Sequence, residues 1–325
     1  MDGASNRLDY IDIAKGIGIC LVVLGHTTIL ETGGIGKYVH DFVYLFHMPL
    51  FFLISGFLYH HKEDMPVKEY LKGKFHTLGV PFLIFWIVPC IYRVAFKGES
   101  AICFFRWMWQ EQFDCWAIWF LYTLIIVSVL YKYFYRRIRK ISIWGFLIVG
   151  LIIFTFRIFH FYLLIDTALF GMIYYHIGHL YQHSKVDFKK SLTGIICLFL
   201  MMVAKNSRDY LSYSSINYRG FWFGNNDFVS TIVFALIGSL CVVWISQYLV
   251  EKNFIRKLLS NLGKNSIVIV CTHVQIMYLV DFLFPSLRWG GKFLAIVILY
   301  SCGLLHVLRR YFFFLFGLKC KSNKK

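Results

Sequence analysis

The chain has 325 residues, of which 58% are hydrophobic and only 16% are charged, and its mean hydropathy is +0.62. Soluble domains carry about 25% charged residues, so this composition argues against a water-soluble protein, a nucleic-acid-binding protein and a disulfide scaffold. The nine cysteines form no Cys-x-x-Cys motif and lie mostly in apolar runs, which indicates reduced, buried side chains. The composition is typical of a polytopic membrane protein.

Ten apolar segments are candidates for crossing a bilayer, which takes about 20 residues each. In chain order they are 13–30, 42–59, 78–95, 115–131, 141–156, 159–180, 191–204, 228–249, 265–281 and 293–316. Two of them are short, and the aromatic stretch 98–113 is interpreted as an interfacial or re-entrant element. The fold class we expect is an all-α polytopic transmembrane bundle of about ten spans. It forms a single integral-membrane domain over 1–325, with no separate soluble domain.

The net charge of +17 has a topological explanation. If the N-terminus is cytoplasmic, 23 of the Lys and Arg residues fall in inside loops and tails and 9 fall outside. The positive-inside rule predicts such a bias. We therefore expect both termini to be cytoplasmic and the chain to be a multi-pass protein of the inner (plasma) membrane, without a nucleic-acid partner.

The first segment carries ionisable residues within its apolar run. Placing such a group inside a bilayer costs roughly several kcal/mol, so these residues are functional candidates by default. Asp12 and Lys15 are three residues apart, so they share a helix face and can pair. Lys15 and His26 are eleven residues apart, which is three turns plus about 20° and a rise of about 16 Å. Gly18 and Gly25 lie on or beside the same face and leave room for another helix or a thin ligand.

Two later segments add polar residues to the predicted site. His47 stands two residues before Pro49, which is expected to kink the helix, and it could meet the histidine of the first segment. Further on, Asn265 and Ser266 precede a helix start, where they either cap the helix or leave its N-terminus to bind an anion. His273 lies in the middle of that span. No metal-binding motif and no nucleophile elbow is present in the sequence.

These segments resemble the acyltransferase-3 family of integral-membrane O-acyltransferases, especially its fucose-4-O-acetyltransferase-like branch. Four blocks carry the resemblance in the family's order, at 10–26, 47–57, 119–121 and 263–273. The resemblance implies a ten-span bundle that takes acetyl from cytoplasmic acetyl-CoA, a co-substrate rather than a bound cofactor. It implies transfer to a hydroxyl of a cell-surface polysaccharide or a lipid-linked glycan precursor.

The resemblance also assigns expected roles to residues. The family's Arg/Lys-x10-His motif falls on Lys15 and His26, and His26 is expected to act as general base, although it could instead accept the acetyl group first. The expected catalytic set is His26, Lys15, Asp12 and His47. The residues expected to bind the CoA phosphates are Lys15, Lys72, Lys74 and His76, since the family's Arg pair at the third span is missing. The residues expected to bind substrate are Trp119, Asn265, Ser266 and His273.

The expected partners are acetyl-CoA, a carbohydrate acceptor and the lipid bilayer, and a homo-oligomer is left open. The pantetheine arm of CoA is expected to run along the face marked by Gly18 and Gly25, towards His26. A transporter or flippase of a lipid-linked sugar is the alternative function, but transporters usually show internal repeats. A non-catalytic scaffold is a further alternative, and it would not need buried histidines.

Overall fold

The computed structural model describes residues 3–31, 33–105, 116–138, 164–183 and 228–318, with the single positions 196 and 200. The regular structure of these residues is entirely helical. The α-helices are α1 Gly3–Thr27, α2 Gly34–Tyr44, α3 His47–Tyr59, α4 Val67–Lys74, α5 Val80–Lys97, α6 Trp119–Ile138, α7 Ile165–His183, α8 Phe228–Leu249, α9 Asn253–Lys264, α10 Ser266–Leu283, α11 Trp289–Leu299 and α12 Leu305–Tyr311. Two π-helical turns, Phe75–Gly79 and Tyr300–Leu304, join α4 to α5 and α11 to α12.

Six helical stretches within the described ranges are long and apolar enough to cross a membrane. They are Asp9–Thr27, Gly34–Lys62, Val67–Lys97, Ile232–Leu249, Ser266–Leu283 and Trp289–Tyr311, and Trp119–Phe134 is a shorter apolar helix. The all-helical, multi-pass architecture is thus confirmed. The predicted segments at 141–156 and 191–204 lie outside the described residues, apart from positions 196 and 200, so the number ten and the side of the termini stay predictions.

Helix α1 lies at the centre of the described bundle and packs against α2, α3, α8, α9, α10 and α11. Its closest crossing is with α9, where Gly16 faces the backbone of Leu259 and Gly263 faces the backbone carbonyl of Asp12. A Cβ atom at either glycine would overlap that backbone. Small residues at such points let two membrane helices approach to backbone contact.

A second crossing of the same kind joins α3 to α7. Gly56 faces the carbonyl of Tyr175, and Gly178 faces the carbonyl of Leu53. Each helix therefore supplies one glycine and one carbonyl to the contact. The two crossings fix α1 against α9 and α3 against α7.

The second predicted span is interrupted. Helix α2 ends at Tyr44 and α3 begins at His47, whereas the sequence predicted one kinked helix over 42–59. Pro49 falls in the first turn of α3, where an amide proton is not needed, so it does not kink the helix interior. Position 47 therefore begins a helix.

The connection from α3 to α4 is held by a buried lysine of α6. The Nζ atom of Lys132 donates hydrogen bonds to the backbone carbonyls of Lys62 (3.0 Å) and Glu63 (2.6 Å). The same ammonium group lies 5.4 Å from the ring centroid of Tyr70, and the ammonium of Lys74 lies 5.5 Å from that centroid. Tyr70 thus contacts two cations, and α4 is fixed with Lys74 at its C-terminal end.

The predicted interfacial element at 98–113 is described as far as residue 105. Gly98 ends α5 with a left-handed backbone (φ 64°), and Arg93 then pairs with Glu99 at 3.0 Å. The Sγ atom of Cys103 lies 3.9 Å from the carbonyl of Cys90. The chain therefore folds back beside the last turns of α5 as far as residue 105, and an interfacial or re-entrant position stays a prediction.

Candidate functional site

A cavity of about 230 Å³ opens between α1, α3, α6, α10 and the α4–α5 junction. Three lysines line it, Lys15 of α1, Lys74 of α4 and Lys264 of α9. Ser55, Thr77 and Ser266 add hydroxyl groups, and the remaining walls are mostly apolar. A ligand that suits such walls has several negative charges joined to a less polar arm.

One carboxylate organises two of the three lysines. The Nζ atom of Lys15 donates to Oδ1 of Asp12 at 2.9 Å, which is the pairing that the three-residue spacing predicts. The Nζ atom of Lys264 lies 3.8 Å from Oδ2 of the same aspartate. Two cations share one anion here, so they keep a net positive charge, and Lys74 adds a third amine from another wall.

The N-terminus of α10 opens onto the same cavity. Ser266 is its first residue and lines the cavity, and no side chain caps the helix. The Nδ2 atom of Asn265 instead donates to the carbonyl of Asn261 at 2.6 Å, which ties α9 to α10. The sequence left open whether this motif caps the helix or leaves its N-terminus to bind an anion. The structure shows no side-chain cap, so the positive end of the α10 dipole faces the cavity.

Two imidazoles meet between α1 and α10, the half-buried His26 and the buried His273. The ring centroids of His26 and His273 are 4.9 Å apart and the ring planes are at 73°, an edge-to-face contact. Nδ1 of His273 lies 2.8 Å from the carbonyl oxygen of Ile269 and 3.1 Å from that of Val270. Because carbonyls only accept hydrogen bonds, Nδ1 carries the proton and Nε2 of the neutral ring keeps its lone pair.

Both imidazoles have a buried nitrogen without a hydrogen-bond partner among the described residues. The atoms are Nδ1 of His26 and Nε2 of His273. Buried polar atoms are normally satisfied, so each exception requires an explanation. Polar groups of a bound ligand beside the rings would supply the missing partners.

A third imidazole belongs to the same cluster. Nδ1 of His47 donates to the carbonyl of Val43 at 2.9 Å, which fixes its tautomer in the way found for His273. The ring of Tyr44 lies against His47 (4.7 Å between centroids) and stacks on His40 (4.1 Å). The ring of Tyr44 also reaches α1 at Gly25, the residue before His26. The sequence predicted that His47 could meet His26, and it gave no sign of His40 or Tyr44.

The cavity ends about one helical turn from the imidazoles. Val270 lines the cavity three residues before His273, and Phe51 lines it four residues after His47. One turn of α-helix rises about 5.4 Å. The cavity is therefore at the lysine end of α1, and a rise of about 16 Å separates Lys15 from His26 along that helix.

The glycines of α1 do not form an open groove. A Cβ atom at Gly18 would lie 3.0 Å from side-chain atoms of Leu50 and Phe51, and one at Gly25 would lie 2.9 Å from the ring of Tyr44. The expected route of a pantetheine arm along these glycines is thus filled by α2 and α3 side chains. The open space lies instead on the side of Phe51 that faces the three lysines.

Other residues predicted for the site lie apart from the cavity. Lys72 and His76 are exposed and do not line it, and Trp119 is buried in the core beside Phe120, which does line it. Their roles stay predictions. The sequence missed Lys264, Phe51 and Thr77. Lys264 stood inside a predicted motif, but its charge had a topological explanation, and its contact with Asp12 depends on the α1–α9 crossing.

The chain matches a protein-family model. The model described as an acyltransferase domain, that of the acyltransferase-3 family, matches residues 8–308. The chain belongs to the acyltransferase-3 family. Neither the curated proteins nor the solved structures gave a match to it. The matched region of this acyltransferase-3 protein contains every cavity residue and all the imidazoles described above, and the protein is a multi-pass membrane acyltransferase.

Proposed function

We propose that the protein is a membrane O-acetyltransferase that moves acetyl from cytoplasmic acetyl-CoA to a hydroxyl of a cell-surface polysaccharide or a lipid-linked glycan precursor. The observation that carries the proposal is a lysine-lined cavity that ends about one helical turn from the histidines of the His26–His273 cluster. Family membership supports acyl transfer, and the cavity supports the choice of donor.

CoA suits the cavity in charge and in shape. Its phosphates require several cations, and Lys15, Lys74 and Lys264 come from three different helices to line one space. The N-terminus of α10 can add backbone amides to the same phosphates. The walls beyond the lysines are apolar and suit the uncharged pantetheine arm, whose thioester would then point towards the imidazoles.

In this mechanism, His26 removes the proton from the acceptor hydroxyl as the hydroxyl oxygen attacks the thioester carbonyl carbon. The tetrahedral intermediate collapses and the carbon–sulfur bond breaks, which releases CoA thiolate. The proton on His26 passes to that sulfur, so the products are the acetyl ester and CoA thiol. His273 assists by orienting the acceptor: its Nδ1 proton is held by the helix backbone, so its Nε2 can accept a hydrogen bond from a second, non-reacting hydroxyl of the glycan.

The acceptor would reach the imidazoles from the side opposite the lysines. A glycan entering there meets His47, Tyr44 and His40 of the second span before it meets His26. Both substrates would then approach the pair from opposite directions, and neither has to leave before the other binds. Direct transfer needs only this juxtaposition, because effective concentration in a fixed geometry supplies much of the rate.

The test is transfer of label from radiolabelled acetyl-CoA in membranes that contain the protein and its native glycan. We expect the wild type to label the glycan and His26→Ala to lose at least about 100-fold in rate, as for removal of a general base. The control variant is His306→Ala, which removes an exposed histidine from α12 and should keep full activity. Equal labelling by wild type and His26→Ala would overturn the general base. Absence of label with the folded wild type would favour a transporter of the lipid-linked sugar.

A further inference from the structure

The side chain of Phe51 lies between the cavity and the imidazoles. It lines the cavity, it is only 8% exposed, and it stands one turn of α3 from His47. Its ring packs against Phe120 of α6 with 5.7 Å between centroids. On the other side, the ring reaches α1 at Gly18.

The contact of Phe51 with Gly18 closes the space between α3 and α1 at this level. An added Cβ at Gly18 would lie 3.0 Å from Cζ and 3.1 Å from Cε2 of Phe51, and 3.0 Å from Leu50. Gly18 is one turn beyond Lys15 and about two turns before His26. The ring therefore extends from α3 across to α1 between the lysines and the imidazoles. A thioester that starts in the cavity has to pass it.

We propose that Phe51 is the residue that selects the acyl group of the donor, by setting the width of the passage from the cavity to His26 and His273. This inference rests on the proposed function. A ring that turns aside on χ1 and χ2 admits the unbranched cysteamine end of the arm and an acetyl methyl group. A branched acyl group needs a wider opening, so its transfer is disfavoured.

The adjacent residue provides a matched control. Phe52 also packs on Phe120, at 5.2 Å between centroids, but it points to Gly171 of α7 and does not line the cavity. Truncation of either phenylalanine removes an aromatic contact with Phe120. Only truncation of Phe51 widens the passage.

The experiment compares acetyl-CoA with isobutyryl-CoA as donors and measures the ratio of their kcat/KM values. We expect Phe51→Ala to move this ratio about tenfold or more towards isobutyryl-CoA, the scale at which pocket size discriminates between acyl groups. Phe51→Leu should move it in the same direction by less. Phe52→Leu should leave the ratio at the wild-type value even if the protein becomes less stable.

A fourth variant should have the opposite effect. Gly18→Ala places a methyl group where the Phe51 ring now rests, so the ring is pushed towards Phe120 and the passage narrows. We expect the ratio of kcat/KM values to move further in favour of acetyl-CoA. If the wild type transfers acetyl and all three Phe51 and Gly18 variants keep its ratio, the selection by Phe51 is refuted and the acetyltransferase stands. If the wild type transfers no acyl group, both proposals fail together.

Discussion

At the scale of single residues, the shared carboxylate of Asp12 gives the cavity its charge pattern. One aspartate between Lys15 and Lys264 holds both ammonium groups in place and leaves them jointly cationic. Lys264 is the more exposed of the two, with 54% of its side chain accessible against 23% for Lys15. It is therefore free to leave the aspartate for a phosphate at little cost.

We expect Lys264→Gln to raise the KM for acetyl-CoA about fivefold, because a partly exposed ion pair contributes roughly 1 kcal/mol, while kcat changes little. The rise in KM should shrink at high salt, which screens the charge. The control is Lys257→Gln on the same helix, an exposed lysine that does not line the cavity. Steady-state kinetics at two ionic strengths measures both variants. An equal effect of the two would place the role of Lys264 in general surface charge.

Within one helix, the spacing of residues predicts which side chains meet. The Asp12–Lys15 pair followed from a separation of three residues and is present at 2.9 Å. The contact of His26 with His273 could not be predicted in this way, because 247 residues separate them and only the packing of α10 on α1 brings them together. The sequence missed Lys264 and Phe51 for the same reason, since their positions in the site depend on helix crossings.

At the scale of helices, glycines determine which pairs of helices touch. Gly16 and Gly263 bring α1 to α9, and Gly56 and Gly178 bring α3 to α7. The sequence suggested that Gly18 and Gly25 admit either another helix or a thin ligand, and the expected route of the pantetheine arm used the second alternative. Those two positions receive side chains instead, because the neighbouring helices α2 and α3 carry large aromatic residues at that height.

We expect Gly178→Ala to lower the thermal stability of the detergent-solubilised protein. The new methyl group would overlap the carbonyl of Leu53, and overpacking of this kind costs about 1–3 kcal/mol. The matched control is Gly73→Ala in α4. An added Cβ atom there would meet no atom within 4 Å beyond its chain neighbours and its own helix backbone, and alanine is the better helix former by about 0.5–1 kcal/mol. The melting temperature should fall for the first variant and hold or rise for the second. A fall in both would mean that any added methyl group is harmful.

The helix boundaries show what the sequence predicts least well. Apolar runs located the first three and the last three predicted spans, and all six appear as candidate spans. The break between Tyr44 and His47 was not predicted, because a proline at position 49 is compatible both with a kinked helix and with a helix start. At this break the carbonyl of Val43 accepts hydrogen bonds from the side chain of His47 and from the backbone amide of Phe46.

At the scale of the whole molecule, the orientation in the membrane decides whether the cavity can receive a cytoplasmic donor. The positive-inside rule predicts that the α1–α2 connection is outside and the α8–α9 connection is inside. Gly33 and Glu251 are exposed residues of these two connections. The lysines of the cavity stand on the side predicted to be cytoplasmic.

We expect a membrane-impermeant maleimide to label Gly33→Cys in intact cells and to spare Glu251→Cys until the membrane is permeabilised. The parent chain, which retains its native cysteines, gives the background. The reverse pattern would place the lysines on the outer side, where acetyl-CoA is not supplied. It would contradict the predicted orientation and the choice of donor at the same time.

The α1–α9 crossing has a consequence for biogenesis. Lys15 enters the membrane with the first helix to be synthesised, whereas Lys264 and the α10 residues of the cavity come from the last fifth of the chain. While translation proceeds, Lys15 has the cavity walls of α3 and α6 beside it but not those of α9 and α10. The cavity is thus complete only when synthesis is almost finished, so a truncated or stalled chain would lack the third lysine and the α10 wall.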